Sequence, residues 1–76
     1  MQEYTVILRD VDGYEIGRSR EMGLKAAKSR ARYMASDAYA TSAETTHGNW
    51  RSERVEITDE AGEVVWDMEV PTGVRS

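Results

Sequence analysis

The sequence predicts an α+β fold of the order ββαββ, in which a four-stranded, mainly antiparallel sheet carries one helix packed on one face. An Asp-x-x-Gly motif occurs twice, at residues 10–13 and 59–62, each time between β-prone runs. Asp accepts backbone N–H bonds at the start of a tight turn, and Gly tolerates the positive φ that closes it. The two motifs therefore predict two hairpins. Only one alanine-rich segment lies between them, and the 76 residues predict a single domain, 1–76.

The first hairpin follows from the alternation in residues 4–10. A three-residue loop, 11–13, with Gly13 in the left-handed conformation places Asp10 opposite Tyr14 and Leu8 opposite Ile16. This register predicts one apolar face, made of Tyr4, Val6, Leu8, Tyr14 and Ile16.

The helix is predicted to begin after Gly23, an acceptable N-cap, and its pattern fades after Ala40. Apolar residues recur at three- and four-residue steps: Leu24, Ala27, Ala31, Met34, Ala35 and Ala38. The small alanines on this stripe allow the helix to lie close to the sheet. The opposite side of the helix carries Lys25, Lys28, Ser29, Arg32 and Ser36.

Residues 41–49 read as a polar loop, and 55–59 with 64–70 as the second hairpin, which Pro71 ends. A three-residue turn would pair Ile57 with Val65 and send the next apolar residues to the other face. We prefer a four-residue loop because it aligns Val55 and Ile57 with Val64, Trp66 and Met68, burying more apolar area. The two turns are then expected to differ. The strand order stays open, because the crossover can return to either edge of the first hairpin.

The inventory of reactive side chains argues against catalysis. The chain has no Cys, and its one histidine, His47, lies in the polar loop, where we expect it to be solvated. Asp10, Asp12 and Glu15 lack the spacing of an EF-hand, so no metal site is expected. No glycine-rich phosphate loop is present. We expect a protein that is not an enzyme and has no cofactor.

The apolar content also limits where the chain is expected to act. No apolar run approaches the length of a membrane span, and residues 1–20 lack the basic-then-apolar pattern of a secretory signal. We therefore expect a cytoplasmic protein that does not enter a membrane.

Charge is strongly segregated along the chain. Residues 18–36 hold six basic side chains against one acidic one, whereas residues 37–76 hold nine acidic against three basic. The basic candidate surface consists of Arg20, Lys25, Lys28 and Arg32. It could contact phosphates, which makes a small nucleic-acid-binding accessory protein the alternative function. The net charge of −4 and the pI near 4.9 argue against this alternative.

The acidic candidate surface is the second hairpin, and its members are Glu53, Glu56, Asp59, Glu60, Glu63, Asp67 and Glu69. Acids on the same face of a strand repeat about every 7 Å, so a row of them could mimic a phosphate backbone and occupy a basic groove of a protein partner. The alternative interpretation is protection of a sheet edge against aggregation. Trp50 is the candidate aromatic anchor of an interface, whereas Trp66 is expected in the core.

Two segments resemble small phage-encoded proteins. These are residues 22–31, Met-Gly-Leu-Lys-Ala-Ala-Lys-Ser-Arg-Ala, and the pattern of Val55, Glu56 and Ile57 followed by Gly62 and by residues 64–66. They are similar to those of anti-CRISPR proteins that inhibit type I systems. The resemblance implies stoichiometric inhibition of a crRNA-guided surveillance complex in the host cytoplasm, by contact with a Cas subunit that blocks target-DNA binding. Either the acidic hairpin, as a DNA mimic, or the basic helix face would make that contact.

Overall fold

A computed structural model describes residues 2–10, 12–36, 39 and 52–70 of the chain. Its elements are β1 (Glu3–Asp10), β2 (Glu15–Met22), α1 (Leu24–Met34), β3 (Ser52–Thr58) and β4 (Val64–Glu69). The strands form one sheet in the order β2-β1-β3-β4, with every neighbouring pair antiparallel, and α1 packs on β1, β2 and β3. The predicted ββαββ fold is confirmed. The crossover returns β3 to the free edge of β1, so β2 and β4 become the outer strands.

The first turn has the predicted chemistry. The backbone N–H of Asp10 donates to the carbonyl of Tyr14 at 2.9 Å, and the N–H of Gly13 donates to the carbonyl of Asp10 at 3.0 Å. The Asp10 Oδ1 accepts the N–H groups of Asp12 and Tyr14, each at 2.9 Å. Gly13 has φ of 88°, the left-handed conformation that favours glycine. The predicted pairing of Asp10 with Tyr14 is therefore confirmed.

The register beyond this turn differs from the prediction. Leu8 lies opposite Gly17, not Ile16, because a β-bulge falls between the Leu8 and Arg9 pairs. An extra residue on one strand reverses the alternation of faces on that strand. Tyr4 and Ile16 pack against the core, whereas Tyr14 lies opposite Asp10 as predicted but is 71% exposed and does not pack there.

The second turn repeats the first. The Asp59 N–H donates to the carbonyl of Glu63, and the Gly62 N–H donates to the carbonyl of Asp59, both at 3.0 Å. Gly62 has φ of 86°. The expected four-residue loop, and with it the expected difference between the turns, is wrong. A second bulge lies between the pairs of Ile57 and Thr58. It aligns Trp66 and Met68 with Ile57 and Val55, which we had expected a longer loop to do.

That bulge sets which residues of β4 face the helix. Ile57 pairs with Trp66 and Val55 with Met68, as predicted, while Val64 lies opposite Thr58. Two structurally equivalent hairpins result, each with an Asp-x-x-Gly turn and a bulge just beyond it.

Helix α1 begins after Gly23, whose φ of 92° again requires glycine and which makes no side-chain cap hydrogen bond. Its stripe is confirmed, since Ala27, Ala31 and Met34 are buried and Leu24 packs beside them. Helix α1 ends at Met34, and Tyr39, further along the predicted stretch, is again helical. Positions 38 and 40 lie outside the described residues.

The core lies between α1 and one face of the sheet. Its buried members are Val6, Leu8, Ala27, Ala31, Met34, Ala35, Tyr39, Val55, Ile57 and Val70. Tyr39 is buried beside Gly17 of β2. Its ring contacts the Tyr33 ring edge-on, with centroids 5.5 Å apart. A Cβ added to Gly17 would lie 2.9 Å from the Tyr39 hydroxyl oxygen. Gly17 therefore makes space for a buried tyrosine.

Candidate interaction surfaces

The sheet has one face without a helix, which we call the open face. Because Val6 and Leu8 point into the core, the alternating residues Thr5, Ile7 and Arg9 lie on the open face. The register places three further pairs of charged residues on it, Arg18 and Arg20 of β2, Arg54 and Glu56 of β3, and Asp67 and Glu69 of β4. Among the described residues, this face is therefore mostly charged.

Ion pairs cross the open face between strands. Arg9 Nε lies 2.8 Å from Glu56 Oε1, and the Glu56 side chain is only 17% exposed. Arg54 Nη1 lies 3.2 Å from Asp67 Oδ2, with both side chains about half exposed. The first pair covers part of the sheet and has a structural role, whereas the second is exposed enough for water and salt to weaken it.

The seven acids of the second hairpin do not form one row. Glu56 is bound by Arg9, and Asp59 Oδ1 accepts the backbone N–H groups at 61 and 63, at 2.9 and 3.0 Å. These two acids are therefore occupied within the chain. The exposed members are Glu53, Glu60, Glu63, Asp67 and Glu69.

The exposed acids lie in three places. Asp67 and Glu69 are neighbours on the open face of β4. Glu60 and Glu63 lie at the turn, where Glu60 Oε2 accepts the Glu3 N–H at 3.1 Å. Glu53 lies at the position that the register between β1 and β3 skips. Four of the five exposed acids thus follow the β4 edge and its turn, and Glu53 lies apart from them on β3.

The predicted basic surface is divided by the sheet. Lys25, Lys28 and Arg32 share one side of α1, a helix without an acidic residue. Within the described ranges neither lysine forms an ion pair. Arg20 instead lies on the open face, with its Nη1 3.9 Å from Glu3 Oε2. Because Arg20 is on the far side of the sheet, it does not belong with the helix cations.

The two tryptophans have separate outcomes. Trp66 is partly buried and packs against the core, as predicted, and the Arg32 guanidinium lies 6.0 Å from its ring centroid. The candidate anchor Trp50 and the loop histidine His47 lie outside the described residues.

Sequence reasoning missed the ion pair on β2. Arg18 donates from Nε and Nη2 to the two carboxylate oxygens of Glu15, both at 2.8 Å. These hydrogen bonds, with the positive charge of Arg18, hold the pKa of Glu15 below its usual value, and they raise the pKa of Arg18. The three-residue spacing carries no signal in a regular strand, because the bulge between the two residues is what brings them together.

No cluster of three or more His, Cys, Asp or Glu side chains able to hold a metal occurs in the described ranges. Nor do those ranges enclose a pocket. No helix described in the structure is both long and apolar enough to cross a bilayer.

Comparison with protein-family models, with curated proteins and with solved structures found no match to this chain. The charge and geometry of its surfaces therefore carry the functional argument.

Proposed function

We propose that the chain is a non-enzymatic inhibitor that binds a type I CRISPR surveillance complex through its acidic second hairpin. Contact with a Cas subunit would keep the complex from binding target DNA, which would place the protein in the cytoplasm of the host cell. The observation that carries the proposal is the run of exposed acids along β4 and its turn, Glu60, Glu63, Asp67 and Glu69.

The physical support is electrostatic. A rigid hairpin presents its carboxylates without the cost of ordering a flexible segment. The partner most favoured by such a surface is a groove lined by Lys and Arg, because complementary potentials speed encounter and align the two surfaces. A nucleic-acid-binding groove has this character. The resemblance to type I inhibitors supports a surveillance complex as the partner that contains this groove.

The contacts of each acid decide which substitutions test this proposal. Reversal of Glu56 would break its pair with Arg9 and leave a charge unpaired, so the fold and the interface would be affected together. The informative variant is Glu63→Lys/Glu69→Lys, since both side chains are exposed. Its matched control is Asp12→Lys/Glu21→Lys, which makes the same change in net charge on the first hairpin, where β2 is the edge strand opposite β4.

The assay measures binding of purified type I complexes to target duplex DNA, with increasing amounts of each variant. We expect stoichiometric inhibition by the native chain and by the control. The hairpin variant should bind about 10- to 100-fold more weakly, because each reversal places a like charge against the groove. Equal inhibition by both variants would refute the acidic contact. No inhibition of any type I complex by the native chain would refute the target.

A second candidate is nucleic-acid binding by the helix, favoured by the exposed Lys25 and by Lys28, which have no ion-pair partner among the described residues. The test is a gel shift on DNA and RNA with the isolated chain and with Lys25→Glu/Lys28→Glu. Salt-sensitive binding that this variant loses would favour the helix surface. Without such binding by the native chain, this candidate is eliminated.

A further inference from the structure

The two outer strands carry opposite charges on the same face of the sheet. On the open face, β2 presents Arg18 and Arg20, and β4 presents Asp67 and Glu69. All four residues are exposed. On the open face, β2 therefore carries a net positive charge, since Glu15 offsets only one of its two arginines, and β4 carries a net negative charge.

The sheet has an approximate internal twofold symmetry, which exchanges β1 with β3 and β2 with β4. The central strands pair Thr5 with Thr58 and Arg9 with Arg54, and this register is unchanged by the exchange. The same exchange places Arg18 on Asp67 and Arg20 on Glu69. Equivalent positions in the two hairpins thus hold side chains of opposite charge.

The backbone groups of these residues also point outward. The Val70 N–H donates to the Glu53 carbonyl at 2.7 Å, so Val70 faces β3. Since successive residues alternate in direction, Asp67 and Glu69 direct their N–H and C=O groups away from the sheet. The Gly23 N–H donates to the Gln2 carbonyl at 2.8 Å, and the same alternation turns Arg18, Arg20 and Met22 outward on β2. Among the described residues, these outward backbone groups have no partner at either edge.

One antiparallel register satisfies both edges. If β2 of one copy lies beside β4 of another, pairing Arg18 with Glu69 also pairs Arg20 with Asp67. The same register places Met22, 54% exposed, opposite Val65, 44% exposed. All four charged residues have backbone groups that face outward. The same register therefore forms backbone hydrogen bonds and places opposite charges next to each other.

Pairing of like edges is unfavourable. Two β2 edges that pair through Arg18 and Arg20 place arginines opposite arginines, and two β4 edges that pair through Asp67 and Glu69 place acids opposite acids. Like charges that lie opposite each other destabilise adjacent strands. The antiparallel alternation of the sheet also continues without interruption from β4 of one copy into β2 of the next.

We propose that the chain self-associates head to tail, with β2 of one copy adding to the β4 edge of a second copy. The contact is heterologous, so each added copy leaves one free edge of each kind, and assembly grows with concentration unless the copies close into a ring. The exposed pairs of Arg18 with Glu15 and of Arg54 with Asp67 are compatible with it. A guanidinium has five donors and can serve two carboxylates, and a carboxylate has two oxygens that each accept hydrogen bonds. Assembly covers Asp67 and Glu69, so it competes with partner binding by the acidic hairpin.

The test is sedimentation of the isolated full-length chain over a concentration series up to about 1 mM, the upper range for weak specific contacts. We expect an average mass that rises with concentration and falls with added salt. The variants Arg18→Glu/Arg20→Glu and Asp67→Lys/Glu69→Lys should each remain monomeric alone, because both edges then carry the same sign. The quadruple variant, which exchanges the charges of the two edges, should associate again. A monomeric native chain across the series would overturn the proposal, as would a double variant that associates like the native chain.

Amide hydrogen exchange on the native chain gives a second readout that needs no substitution. The outward amides of Arg20 and Asp67 should exchange more slowly as concentration rises, while amides within α1 should not change. Exchange at both edges that is independent of concentration would also overturn the proposal. No surveillance complex takes part in either measurement, so failure here leaves the proposed inhibitory function untouched.

Discussion

Replacing Gly17 by alanine should destabilise the fold, although removing a glycine from a strand normally helps. The added Cβ would lie 2.9 Å from the Tyr39 hydroxyl oxygen and 3.4 Å from both Leu8 Cβ and Met34 Cε. Tyr39 is only 5% exposed and its ring is held edge-on against Tyr33, so it has little freedom to move away.

Two opposing terms set the expected magnitude. Alanine in place of glycine within a strand recovers about 0.5–1 kcal/mol of conformational free energy. Overpacking a well-filled core costs about 1–3 kcal/mol. The net free energy of unfolding should fall by about 1 kcal/mol, and for a domain of this size that corresponds to roughly 4–8 °C in Tm.

The assay is urea unfolding followed by circular dichroism, with Gly17→Ala, Tyr39→Phe and the double variant in one cycle. In the Tyr39→Phe background the hydroxyl is gone, so the alanine should cost much less or become stabilising. The interaction energy of the cycle isolates the contact. A Gly17→Ala variant as stable as the native chain, or equal costs in both backgrounds, would refute the packing argument.

Two further predictions concern the turns and the β2 ion pair. Asp59→Ala should lower the free energy of unfolding by about 1 kcal/mol, because Oδ1 accepts two backbone N–H groups. Asp59→Asn keeps an acceptor oxygen, so its free energy of unfolding should fall much less. Equal losses for the two variants in urea unfolding would contradict the role of Oδ1 as an acceptor. Arg18 is the main cause that holds the pKa of Glu15 below its usual value, so this pKa should rise in Arg18→Ala, as NMR titration can measure. Because the folded-state pKa is lowered, the stabilisation by this pair is present above the usual value and is lost as pH falls through the lowered pKa; an unchanged titration midpoint in the variant would contradict it.

Much of the fold was predictable because its signals are local. The Asp-x-x-Gly turns, the alternation in β1 and the alanine stripe of α1 each depend on residues a few positions apart. The bulges were missed because the same apolar pattern fits either a longer loop or an extra residue in the strand. Ile16 shows the consequence, since the sequence places it opposite Leu8 and the bulge places Gly17 there instead.

The candidate surfaces were predictable only in part. The sequence shows that many acids lie on the second hairpin. It does not show that Arg9, which is distant along the chain, binds Glu56. It groups Arg20 with the helix cations because they are close in sequence. In the structure the sheet separates them, since Arg20 lies on the open face and α1 packs on the other.

By itself the sequence determined two hairpins, one helix and a chain divided into basic and acidic parts, because turn chemistry, periodicity and composition act over short distances. Tertiary structure alone decided that β1 and β3 are central. Strand order depends on long-range pairing, which local patterns do not encode. That order leaves Arg18 and Arg20 of β2 and Asp67 and Glu69 of β4 at opposite edges of one sheet, the arrangement on which the proposed self-association depends.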